Sequence, residues 1–196
     1  SNLWGVKSLK RTISVTLVLM LILAITACSN RALSAQSAGI LNDVEVTANH
    51  QEIHTVKVSP NMGKPDYEDM SSFRTIMEIH ASDLPYIHIG EPIQIEFLHQ
   101  TTVPDSYELI DYVLTREGEM KYKIPEPIKP KVEFDQGTAT FTLDENFLVY
   151  ASSASEDYEP GAIIRGFRLV CTWGDNTQEV AFVIRTDVSA NIGNAD

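Results

Sequence analysis

Cysteine is scarce: only Cys28 and Cys171 occur in 196 residues, so at most one disulfide could form within the chain. Positive charge is scarce too, with 15 Lys and Arg against 27 Asp and Glu and a net charge of −12. Nucleic-acid phosphates need Lys and Arg, so nucleic acid is excluded as a partner. The nucleophile elbow G-x-S-x-G is missing, as are S-x-x-K, the metalloprotease H-E-x-x-H and a phosphate-binding glycine loop. These gaps remove the usual sequence grounds for catalysis, and a non-enzyme is expected. No cofactor is called for.

Long hydrophobic runs are also missing, with one exception at residues 13–28, ISVTLVLMLILAITAC. Lys7, Lys10 and Arg11 precede it, which holds the start on the cytoplasmic side while the apolar run enters the bilayer. The run is about 15 residues, short of the roughly 20 that span a hydrocarbon core as a helix. Thr26 and Ala27 are small enough for a peptidase cleft, and Cys28 offers a thiol for lipid. An uncleaved anchor or an ordinary cleaved signal are competing readings.

The pattern resembles the lipobox of bacterial lipoproteins, with Ile25 in the leucine position and Cys28 at the lipidated one. That resemblance covers residues 7–28. It implies that Cys28 becomes a diacylglyceryl-modified N-terminus and that the rest works on the extracytoplasmic face of the cell membrane. More than one acyl chain would anchor stably, whereas a single chain binds marginally.

The three positive residues before Cys28 have no acidic counterpart there, so the part from Cys28 onward carries −15. Such a surface stands off from anionic headgroups and suits a tethered domain. Residues 29–42, SNRALSAQSAGILN, read as that flexible tether. With Cys28 given to lipid, Cys171 is expected to be a buried apolar filler with no disulfide partner.

Beyond the tether the pattern is mostly of period two. Residues 43–48 alternate, and residues 52–58 follow through a turn at Asn49-His50-Gln51, though the inward face of the latter is unclear. Residues 69–80 fit a helix through Met70, Phe73, Met77 and Ala81, and equally a strand through Phe73, Thr75, Met77 and Ile79; the strand is favoured. Ile93, Ile95 and Phe97 alternate after Gly90-Glu91-Pro92. Residues 107–115 read as a strand with Ile110, Tyr112 and Leu114 on the buried face. Residues 123–130, KIPEPIKP, hold three prolines, so they run extended along an edge. Residues 131–134 and 138–143 make a hairpin across Asp135-Gln136-Gly137. Residues 147–151 are a short strand or a helical turn.

Residues 163–173 are apolar on both faces, which predicts a central strand covered on both sides, and residues 179–185 return as a hairpin. At least six strands and no convincing long helix predict an all-β, antiparallel β-sandwich. Its size and the turns entering residues 93 and 163 resemble the immunoglobulin-like and fibronectin-like domains, in a form without the disulfide. The expected layout is a signal over 1–27, a tether over 28–42, an N-terminal hairpin or extension over 43–66, the sandwich over 67–188 and a frayed tail over 189–196.

The candidate site residues are thin. His50 and His54 are four apart, which suits metal on a helix but not on a strand or turn, so these and His80, His88 and His99 read as surface or capping groups. The acidic Asp144, Glu145, Glu156, Asp157 and Glu159 read as a solvated face rather than a calcium loop. Tyr107, Tyr112, Tyr122, Tyr150, Tyr158 and Trp173 are the aromatic candidates for a recognition surface, and Trp173, Asp175, Asp157 and Tyr158 are singled out for ligand binding, since loops at sandwich ends commonly carry recognition. The expected function is a lipid-anchored, non-catalytic binding module meeting a protein or envelope component. Cation or small-ligand sensing, or control of an envelope enzyme through the proline-rich edge, are the alternatives.

Overall fold

The computed structural model describes residues 44–58 and 66–190. The residues expected to form the signal and the tether, Cys28 and residues 191–196 of the expected tail lie outside the described residues. Among the described residues nine strands form: β1 (Val44–Ala48), β2 (Gln51–Ile53), β3 (Thr55–Val58), β4 (Pro92–Phe97), β5 (Ser106–Leu114), β6 (Glu133–Asp135), β7 (Thr138–Thr142), β8 (Ile163–Trp173) and β9 (Asn176–Thr186). They make two antiparallel sheets, β2-β1-β4-β7-β6 and β3-β9-β8-β5, and the β-sandwich is as expected. Without β2 and β3 the orders are β1-β4-β7-β6 and β9-β8-β5, the constant-type immunoglobulin arrangement.

Period-two alternation drives the pairing of the sheets. Ile93, Ile95 and Phe97 of β4 and Ala139 and Phe141 of β7 point inward from the first sheet. Phe167, Leu169, Cys171, Val180, Phe182 and Ile184 meet them from β8 and β9. Phe167 and Phe182 stack with centroids 5.2 Å apart, and Phe141 lies 5.2 Å from Phe167. Cys171 is a free, buried thiol, pushed up to about 12 by burial. This is filler chemistry, because the reactive form is the thiolate.

The N-terminal hairpin forms as expected, β1 against β2, but its separation from the sandwich requires a correction. It is not an extension ahead of a sandwich that starts at residue 67. β1 pairs with β4 across five residues, and β3 pairs with β9. The hairpin turns at Asn49-His50, both at positive φ (49° and 64°), as a two-residue primed turn requires. The chain then changes sheets at His54, between β2 and β3. Ile53 therefore points into the inter-sheet core, while Val56 and Val58 pack on the outer face of the second sheet. That switch explains why residues 52–58 show no single inward face. It also covers ladder edges that β4 and β9 would otherwise leave open.

Residues 69–80 are the second correction. The favoured strand is an α-helix, α1 (Ser71–His80). Phe73, Ile76 and Met77, with Met70 just ahead, are buried, while Ile79 is 65% exposed. The helical period won because β8 is apolar on both faces and its outer face needs a cover. α1 packs there on Ile110, Tyr112, Leu114, Ala181 and Val183. Gly166 of β8 makes the fit possible: a Cβ there would lie 2.6 Å from Leu114 Cδ1 and 2.9 Å from Phe73 Cε1. The prediction that β8 is covered on both sides holds, and the cover on one side is this helix. Residues 147–151 form a 3₁₀ turn, the helical alternative of the two expected.

Candidate functional site

A cleft of about 490 Å³ opens on the outer side of β5. Its shape follows from the proline-rich segment, which runs along the β5 edge as its composition predicts. Lys121 N–H donates to Val113 O (2.8 Å), and Asp111 N–H donates to Ile128 O (2.9 Å). Val113 and Asp111 are two residues apart and span about 7 Å of strand. Lys121 and Ile128 are seven apart, so residues 122–127 must bow outward. Pro125 and Pro127 have no N–H and cannot return to the ladder. Tyr112 and Val113 form the floor of the cleft, and Tyr122, Ile124, Pro125 and Pro127 form one wall.

The opposite wall is the 66–70 loop, held from beneath by a buried arginine. Arg168 on β8 donates to Asp66 O (2.7 Å) and to Asp69 O. Its guanidinium lies over Phe73 at 5.5 Å and Tyr112 at 5.9 Å, and Glu179 Oε1 sits 3.1 Å from its Nε. Burial pushes the Glu179 carboxyl up. Asp69 accepts from the Ser71 N–H (2.9 Å) at the start of α1, and that bond holds its carboxyl low. Tyr67 donates to Glu108 Oε2 (2.5 Å), and Tyr112 donates to Tyr67 O (3.2 Å). Burial pushes Tyr112 up to about 12.

Beneath the cleft, on the inter-sheet side, Asp111 and Arg165 form a buried bidentate pair. Arg165 Nε lies 3.0 Å from Asp111 Oδ1, and its Nη2 lies 2.5 Å from Oδ2. Asn146 Nδ2 donates to Asp111 Oδ2 (2.9 Å), and Arg165 Nη1 donates to Asp144 O (2.6 Å). Each guanidinium nitrogen and both carboxylate oxygens of the pair therefore have a partner within the fold. The rim of the cleft is different. Asp66, Glu68 and Glu119 are exposed there, and Lys123 is the one cation among the described residues that line the cleft. Glu119 shares its carboxylate with Arg74 at 2.7 Å. A net-acidic rim around tyrosines, prolines and Ile124 suits a basic group on an apolar stem.

The four residues singled out for binding do not come together. Tyr158 and Asp157 precede β8, and Trp173 and Asp175 lie at its far end, so an 11-residue strand of roughly 35 Å separates the pairs. Trp173 closes the core: its ring meets Phe97 edge-on at 5.3 Å, and its Nε1 donates to Thr102 O (3.1 Å). Asp175 is exposed in the β8–β9 turn. Tyr158 donates to Ser152 O (3.0 Å). Asp157 lies next to the anchored end of the proline-rich segment, where Lys121 Nζ reaches its Oδ2 at 2.5 Å and Ser152 also donates to it.

Those two hydrogen bonds hold the Asp157 carboxyl below the usual range. A depressed carboxyl contributes stability above its unfolded-state value, about 3.9, and loses it as pH falls through the folded one. Asp157→Asn is therefore expected to flatten the decline of Tm between about pH 5 and pH 3. Superimposable Tm–pH curves for the two proteins would show that the pairing contributes nothing.

Of the cleft tyrosines, Tyr112 and Tyr122 are among the aromatic candidates of the sequence, but Tyr67 and the meeting of the three escaped it, because Tyr67 lies more than 40 residues from the others in the chain. The available signal was the pair of arginines inside the most apolar segment, Arg165 and Arg168, since a buried charge demands partners. Compared with known proteins, the chain matches no family model and no curated protein sequence.

Proposed function

We propose that this chain is an exported lipoprotein, anchored through Cys28, whose immunoglobulin-like sandwich is a non-catalytic binding module of the cell envelope. Its ligand is a basic segment of a protein or envelope component, a Lys or Arg side chain with its aliphatic stem, held in the cleft beside β5. The observation that carries the reading is the cleft itself, an apolar and aromatic floor under an acidic rim. The net charge of −15 beyond the signal supports it by steering basic partners inward. The basic start and short apolar run before Cys28 support the export that would bring the domain to envelope components.

Photo-cross-linking in intact cells tests this, with a benzophenone amino acid at Tyr122 of the cleft or at Leu98, exposed beyond the end of β4. The expected result is one discrete adduct from Tyr122, lost in an Asp66→Lys/Glu68→Lys background, and none from Leu98. Mass spectrometry of the same membrane extract is expected to show an acylated Cys28 as N-terminus. Equal adducts from both positions, or an adduct indifferent to charge reversal, would overturn the cleft. An intact residue 1–27 segment or an unmodified Cys28 would overturn the anchor.

A further inference from the structure

Away from the cleft, three metal-ligating side chains from separate segments converge. His54 is the one residue between β2 and β3, where the chain crosses from one sheet to the other, fixed by pairing on both sides (Ile53 with Val46, Thr55 with Phe182). His80 is the last residue of α1, and Asp83 follows in the turn, its N–H donating to His80 O at 3.1 Å. One oxygen, Asp83 Oδ2, lies 3.3 Å from His54 Nε2 and 3.5 Å from His80 Nδ1. A donor atom from each residue lies within 4.8 Å of the others. The two imidazoles stack at 3.8 Å with 16° between planes.

We propose that His54, His80 and Asp83 form a binding site for a divalent transition metal, with Zn²⁺ as the representative ion. Zn–N and Zn–O bonds of about 2.0–2.2 Å put the edge of a coordination tetrahedron at about 3.3–3.5 Å. The carboxylate oxygen already stands at that distance from both nitrogens. Two imidazoles and one carboxylate select zinc and its neighbours over the hard ions Ca²⁺ and Mg²⁺, which prefer all-oxygen shells. The α1 C-terminus adds to this, because its carbonyl ends favour positive charge there. Two rings ligating one ion lie with centroids about 5 Å apart. The stack must therefore open as the ion enters, and His54, with its side chain 46% exposed, is free to swing. The fourth position faces solvent and takes a water or a donor from outside the chain. The ion would tie α1 to the sheet crossing, one helix length (about 15 Å) from the cleft end of α1.

The full chain in detergent, prepared without a polyhistidine tag, is titrated with Co²⁺ and then with Zn²⁺. One Co²⁺ per chain with the visible bands of a tetrahedral ion is expected, displaced by Zn²⁺, and Zn²⁺ is expected to raise Tm. His54→Ala and His80→Ala should each weaken binding on the order of tenfold or more and abolish the Tm shift. Their metal-free Tm values should match the parent, because both rings are partly exposed and exposed ion pairs contribute little. His50→Ala and His99→Ala, at exposed histidines outside the cluster, should bind normally. Absence of binding, or binding undiminished in His54→Ala and His80→Ala, overturns the site. So does binding lost with His50→Ala or His99→Ala.

Discussion

Asp111→Ala is expected to destabilise the domain by about 3–5 kcal/mol, measured by urea denaturation, because it strands a charge. The Arg165 side chain is only 2% exposed and that of Asp111 1% exposed, so water cannot take over the missing acceptor. The replacement also frees Asn146, whose side chain donates to Asp111 and accepts from the Leu148 N–H. Cooperative loosening of the 144–148 loop should accompany the loss, visible as faster amide exchange there. Asp111→Leu combined with Arg165→Met removes both charges, and its cost should be much smaller, because a well-packed apolar pair avoids the desolvation penalty. A single-mutant cost below about 1 kcal/mol would place the pair among ordinary surface bridges.

Phe73→Ala should cost about 3–5 kcal/mol by the same measurement. The ring is fully buried, meets Tyr112 edge-to-face at 5.3 Å and lies under the Arg168 guanidinium. It also occupies the hollow that Gly166 leaves in β8. Truncation therefore removes the main contact between α1 and the second sheet and bares one face of a buried arginine. Exchange protection should be lost in α1 while β4 and β7, in the other sheet, stay protected. Phe73→Leu keeps most of the volume and should cost less, within about 1.5 kcal/mol. If Phe73→Ala costs under about 1 kcal/mol, the helix is a loosely held appendage rather than the third layer of the fold.

The two variants separate the readings of function as well. Asp111→Ala disturbs the floor of the cleft and leaves His54, His80 and Asp83 untouched. Phe73→Ala moves the helix that carries His80, so it should weaken metal binding along with stability.

Alternation in β4, β7, β8 and β9 was legible residue by residue, since one-faced burial writes period two into a strand. The three prolines of residues 123–130 likewise forecast an edge position, through the missing N–H groups. The capping of the core by Trp173 was also within reach. What could not be read is where elements meet. Residues 69–80 satisfy both periods at Phe73 and Met77, and only the uncovered outer face of β8 decides for a helix. Residues 52–58 show a broken period because they change sheets at His54, which neighbouring residues alone do not announce.

By itself, then, the sequence determined the β-sandwich, most of its strands and turns, the inward face of β1, β4, β7, β8 and β9 and an acidic surface. These are local consequences of backbone geometry and side-chain polarity. The tertiary structure alone decided the helical third layer, the incorporation of the N-terminal hairpin, the cleft and the meeting of His54 with His80 and Asp83. Each joins residues distant along the chain, and such contacts depend on which apolar face remains to be covered once the strands have paired.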